Sequence, residues 1–196
     1  MALATRPLLF VALLAVWFWP VQENAPGKLI LKVNETVSGP LGGEKSASCL
    51  RVYSDGKVAY ATWQNSLETV GEKGTRRTLR PERIVSAEHT LDGANLWAIS
   101  SFIESEVVRS LPGKFGPLRR PIDYFEYVLV EIVDSKGRSK KISTREYYVA
   151  SLREKTKYPA ALILLMDKIN EIKKEASSKG KPAAIPADCS LKLKGH

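Results

Sequence analysis

Two histidines, two cysteines and no glycine-rich phosphate loop leave this chain of 196 residues few of the parts from which active sites are built. His196 is the last residue, so His89 alone serves the body of the chain. Glu88 points to the opposite strand face and Asp92 is better placed as a helix cap, so neither completes a hydrolytic triad, and no Gly-x-Ser-x-Gly elbow offers an activated serine. There is no His-x-x-x-His, no acidic cluster at ligand spacing and no close pair of cysteines, which disfavours a metal centre. Nucleotide binding has no support, because no glycine-rich loop follows a strand. An enzyme is therefore disfavoured, and neither a cofactor nor a metal is expected.

The chain also lacks an apolar run long enough to span a bilayer. Leu8 to Val21, LLFVALLAVWFWPV, is about 14 residues without a charge, against the roughly 20 that a spanning helix needs. With Arg6 before it and Ala25 after it, this is the shape of an export signal over residues 1–25. The domain is then extracytoplasmic, periplasmic or secreted; the alternative is an inner-membrane anchor formed by residues 8–21. Membrane contact is expected only if that segment is retained. No cysteine follows the run, which disfavours a lipid anchor. In an oxidising compartment Cys49 and Cys189 either pair or remain free thiols, and the sequence leaves both readings open.

What is present is charge of one sign. Lys and Arg number 30 against 21 Asp and Glu, a formal net charge of +9, and the excess survives loss of the first 25 residues because Arg6 and Glu23 leave together. Such a balance favours anionic partners such as lipid head groups, acidic polysaccharide or an acidic protein face. Nucleic acid is disfavoured: the basic stretches Arg76, Arg77, Arg80, Arg83 and Lys136, Arg138, Lys140, Lys141, Arg145 have no aromatic residues between them for base stacking. The sequence does not set an oligomeric state.

Alternation predicts strands. Leu29, Leu31 and Val33 share one face, with Ile30, Lys32 and Asn34 on the other. Ser54-Asp55-Gly56 predicts a hairpin in which Cys49 faces away from Leu50 and Val52. Residues 64–77 are polar and contain glycine, and a further strand follows with Val85, Ala87, His89 and Leu91 on one face. Asp92 caps a helix whose stripe is Leu96, Ile99 and Ile103, bordered by Phe102. IDYFEYVLVEIV is the strongest strand signal; it turns at Asp134-Ser135-Lys136-Gly137 into the lysine-rich RSKKIST, the pattern of an edge strand. Glu126 and Glu131, at odd spacing on that strong strand, face opposite sides. Pro159 opens the best helix, with Leu162, Leu165, Met166, Ile169 and Ile172 as its apolar stripe. Asp167, Lys168, Asn170, Glu171, Lys173 and Lys174 form the solvated face. Asn34-Glu35-Thr36 is a formal glycosylation triplet, a pattern that arises often by chance.

The expected architecture is α+β: an antiparallel sheet of about five or six strands with two main helices packed on one face. One domain spans residues 26–176, and a flexible basic tail spans 177–196. Tyr53-Ser54-Asp55-Gly56, Arg109-Ser110-Leu111-Pro112, Asp123-Tyr124-Phe125 and Tyr158-Pro159 together resemble small exported bacterial proteins of uncharacterised function, over roughly residues 45 to 175. More distantly, the order of elements is similar to that of emfourin-type inhibitors of thermolysin-like metalloproteases. The extra N-terminal strand and the tail depart from that pattern, and no inhibitory residue carries across.

The proline-rich segment 112–121 is the candidate contact site. Its prolines lower the entropy lost on docking. Phe115 and Leu118 are candidate anchors, and Lys114, Arg119 and Arg120 candidate partners for acidic groups. The competing reading folds Phe115 and Leu118 back onto the core. The function expected is a non-enzymatic exported binding or envelope-associated domain, whose partner is a protein or an anionic envelope component. The alternative is a secreted protease inhibitor or enzyme modulator acting through that loop.

Overall fold

A computed structural model of the chain describes residues 27–38, 44–70, 76–116, 125–145, 147–148 and 152–189. The class is α+β, and the described strands form one antiparallel sheet. They are β1 (Leu29–Ser38), β2 (Glu44–Tyr53), β3 (Lys57–Val70), β4 (Arg76–Thr90), β5 (Phe125–Val133), β6 (Ser139–Arg145) and β7 (Lys181–Pro182). The helices are α1 (Gly93–Glu104), the single turns α2 (Glu106–Arg109) and α3 (Leu152–Lys155), and α4 (Ala160–Lys179). In space the strand order is β6-β5-β1-β2-β3-β4-β7, so the first described strand is an inner strand.

Seven strands exceed the expected five or six. The extra one is β7, two residues that pair with Ala87 and Glu88 of β4. The polar stretch 64–77 also lies largely in strands, since β3 and β4 stay paired from Lys57↔Thr90 to Val70↔Arg76. A ladder needs only backbone donors and acceptors, so weak side-chain propensity does not end it. Pro81 is tolerated because it lies opposite Asn65, where the register shifts.

The side of the sheet that carries α4 is built in rungs. One rung reads Lys140, Ile132, Leu31, Val52, Val58, His89 from β6 to β4, and the next reads Ile142, Val130, Val33, Leu50, Tyr60, Ala87. Most of these are aliphatic and buried, and they share one core with Ile99 and Ile103 of α1 and Leu162, Leu165, Met166, Ile169 and Ile172 of α4. The third rung changes character: Thr144, Val128, Glu35, Ser48, Thr62, Val85.

Local signals place the ends of the elements. Gly56 and Gly137 sit at φ +85° and +78° in the β2–β3 and β5–β6 turns, where a side chain would be strained. Asp92 accepts from the Asn95 amide at 2.8 Å and caps α1. Lys140 donates to the carbonyls of Arg109 and Leu111, neutralising the end of α2. The expected solvated face of α4 needs one correction: Lys173 is only 6 % exposed. It follows Met166 and Ile169 at helical spacing and so lies on the buried stripe.

The chain beyond α4 crosses to the other side of the sheet. The helix runs to Lys179, past the expected boundary at 176, and the Gly180 amide closes it on the Ala176 carbonyl at 3.0 Å. A Cβ at Gly180 would meet the Ala176 oxygen at 2.2 Å and the Ala87 side chain at 2.9 Å, so only glycine makes this exit beside β4. Cys189 is joined to Cys49 by a disulfide, and both are buried with Ala61, with Ile185 against them. Arg51 is 0 % exposed on the same side. All five of its N–H groups are engaged: Nε with the Asp188 carboxylate at 2.8 Å, Nη1 with the Val33 and Leu50 carbonyls, and Nη2 with Asn34 Oδ1 and the Asp188 carbonyl. Lys32 pairs with the same carboxylate at 3.2 Å. Of the expected flexible tail, residues 180–189 are therefore tied down by pairing, ion pairs and a cross-link, and 190–196 lie outside the described residues.

Candidate functional site

The third rung meets α4 at a cluster of polar groups that are largely buried. Alternation puts Glu35 and Ser48 side by side on β1 and β2, and the Ser48 hydroxyl donates to Glu35 Oε2 at 2.6 Å. The Lys173 ammonium donates to the other oxygen, Oε1. It also lies 5.3 Å from the centroid of the Tyr148 ring. The Tyr148 amide in turn donates to both oxygens of Glu126, at 3.0 Å each. Glu126 is itself buried, one residue pair further along β5 on the same side as Val128.

Burial and charge move the titrations of this cluster. Burial holds the Lys173 ammonium below the ordinary lysine value, against the opposing pull of Glu35 and Glu126. Tyr148 is pushed far up by burial first and then by the charges of Glu35 and Glu126. Tyr60 rises for the same first reason. Tyr147, buried beside this cluster and stacked on Tyr158, is pushed up to about 12 by burial and then by the charge of Asp167. Ionised tyrosines are therefore absent here at neutral pH. With one oxygen taken by the Lys173 ammonium and the other by the Ser48 hydroxyl, the Glu35 carboxylate is held in place by its own chain.

Above the cluster opens a cleft of about 580 Å³. Glu35, Tyr60 and Tyr148 line it from the sheet and the 147–148 segment. Asn170, Lys173, Lys174, Ser177 and Ser178 line it from α4. Each of these eight side chains bears a hydrogen-bonding group. A second, more charged opening of about 590 Å³ surrounds His89 and Lys181 at the far end of α4. There His89 Nε2 stands 3.4 Å from Glu175, which also takes a hydrogen bond from Lys179 at 2.8 Å. That bond is the main reason the Glu175 carboxyl lies below its ordinary value. The carboxylate beside His89 is thus one from α4, which the spacing of Glu88 and Asp92 did not indicate. Among the described residues no group of three His, Cys, Asp or Glu side chains is placed to hold a metal.

The loop residues singled out in the sequence divide. Lys114 is exposed, and its neighbours Gly113 and Phe115 bond through their backbones to Ser143 of β6. Phe115 is half-buried against the core, edge-on to Tyr158 at 5.8 Å, and the Tyr158 hydroxyl donates to the Gly116 carbonyl at 3.1 Å. Leu118, Arg119 and Arg120 lie outside the described residues. The Cys49–Cys189 bond resolves the choice between pairing and free thiols in favour of pairing. Glu35, Lys173 and Tyr148 were not singled out. The signal available was Lys173 at seven- and four-residue spacing from Met166 and Ile169.

No protein-family model matches the chain, and no curated protein is significantly similar to it. No helix among the described residues is long and apolar enough to cross a membrane.

Proposed function

We propose that this chain is a non-enzymatic binding domain that works outside the cytoplasm on an anionic envelope component. The observation that supports it most is the Cys49–Cys189 bond, a cross-link 140 residues apart in sequence and of a kind that persists in oxidising compartments. The export-signal shape of residues 1–25 agrees with it, as does the net charge of +9. The chemistry of these carboxylates supports binding over catalysis, because Glu35, Asp134 and Asp188 are each consumed by cations of the same chain. The shared core of Ile99, Ile103 and the α4 stripe supports reading α1 and α4 as one layer. The inhibitor reading draws less support, since Phe115 packs inward. The test is retention of the oxidised protein from the envelope fraction on immobilised polygalacturonate, with its intact mass measured after alkylation. The expected result is a chain shortened by about 25 residues with both thiols protected, held at low salt and released at high salt. Passage without retention at low salt, or a full-length chain with two alkylated thiols, overturns the reading.

A further inference from the structure

We infer that the cleft between α4 and strands β1 and β3 is a saccharide subsite that takes a uronic-acid unit, an inference that rests on the binding reading above. Its size, about 580 Å³, falls within the roughly 300–1,000 Å³ of small-ligand sites. Among the described residues that line it none is aliphatic, and Tyr60 and Tyr148 offer it ring surface. A ligand matched to such walls carries hydroxyl groups around its edge and C–H groups on its faces, as a sugar ring does, because a polar lining left unpaired by a greasy ligand costs binding free energy.

Charge narrows the class. Glu35 and Lys173 neutralise each other at the base of the cleft, whereas Lys174 is exposed and has no ion pair among the described residues. Of the residues that line the cleft, Lys174 is thus the cation left to pair with a ligand carboxylate, which suits a sugar bearing one carboxylate per ring. The base is also held in place before any ligand arrives. Ser48 and Lys173 fix both oxygens of Glu35, and Glu126 fixes the Tyr148 amide. Little conformational freedom remains to be lost on binding. Asn170, Ser177 and Ser178 present donors and acceptors from the exposed side of α4 to the ligand hydroxyls.

The test is titration of the oxidised protein with trigalacturonate, with neutral maltotriose as the comparison, read by calorimetry and by amide NMR shifts. Saturable binding with shifts at Tyr60, Tyr148 and Asn170, weaker binding of maltotriose, and about tenfold weaker trigalacturonate binding in Lys174→Ala are expected. Lys174 is exposed, so that variant keeps the fold, and Ser178→Ala provides a second, smaller loss. Retention on polygalacturonate that is the same in Lys174→Ala and wild type, without shifts at the cleft residues, overturns the subsite and leaves the binding reading standing. Absence of binding to both trigalacturonate and the polymer overturns both.

Discussion

On β2, Leu50 and Val52 are buried toward α4 among aliphatic neighbours, whereas Cys49 and Arg51, which alternate with them in sequence, are buried on the other side of the strand with residues of the tail. The same backbone thus carries two solutions to burial. Toward α4 the contacts are many, weak and non-directional, and the free energy follows the apolar area removed from water. On the other side they are few and directional: one disulfide, one guanidinium with every donor engaged, and one carboxylate shared by two cations. The first kind of surface tolerates a change at one position by losing a fraction of its packing. The second depends on each of its parts.

Replacing both Cys49 and Cys189 by serine breaks this comparison at its strongest point. The variant is expected to lose about 4 kcal/mol in urea unfolding, because a long loop regains freedom in the unfolded chain. An unchanged midpoint would mean that the tail does not belong to the cooperative unit. Leu165→Ala, at a fully buried position on α4, is expected to cost about 3 kcal/mol. The amides protected in wild type should exchange faster across the whole sheet, in contrast to a loss confined to the tail.

Asp188→Asn probes the directional side more finely. Partial burial alone raises the Asp188 carboxyl, but the hydrogen bond and charge of Arg51, and after them Lys32, hold it below its ordinary value. A carboxyl depressed in the folded state contributes stability above the unfolded value, about pH 4, and the contribution is lost as pH falls through the folded value. With that side chain about half exposed, the contribution is about 1 kcal/mol or less after solvent screening. Wild type should therefore be more stable than Asp188→Asn at pH 7, with the gap in thermal midpoint closing in acid. A gap that widens in acid would show that Asp188 is held protonated.

Much of the fold was legible. The hairpin turns at Gly56 and Gly137, the Asp92 cap, the alternation of Leu31 and Val33 with Lys32 and Asn34, and the apolar stripes of α1 and α4 are all local signals, and each is met. What was not legible depended on distant pairing. The strands through 64–70 and from 76 onward are held by their ladder rather than by propensity, and β7 exists because Gly180 lets the tail turn beside Ala87. The polar cluster was hidden for a similar reason. Glu35 read only as the middle of a glycosylation triplet and Lys173 as one lysine among several, and 138 residues separate the two. Only the fold makes them partners.

The order of strands also sets an order in time. β1 is flanked by β2, its neighbour in the chain, and by β5, whose first residue is Phe125. As the polypeptide emerges, β1 to β4 can pair as a meander while the far edge of β1, with Leu31 and Val33, waits open for a strand roughly a hundred residues behind it. An inner strand with an open edge is an invitation to pair with the wrong molecule. The Cys49–Cys189 bond closes later still, because its second sulfur arrives after β5, β6 and α4. The bond can therefore form only on a chain that already contains every strand of the described sheet.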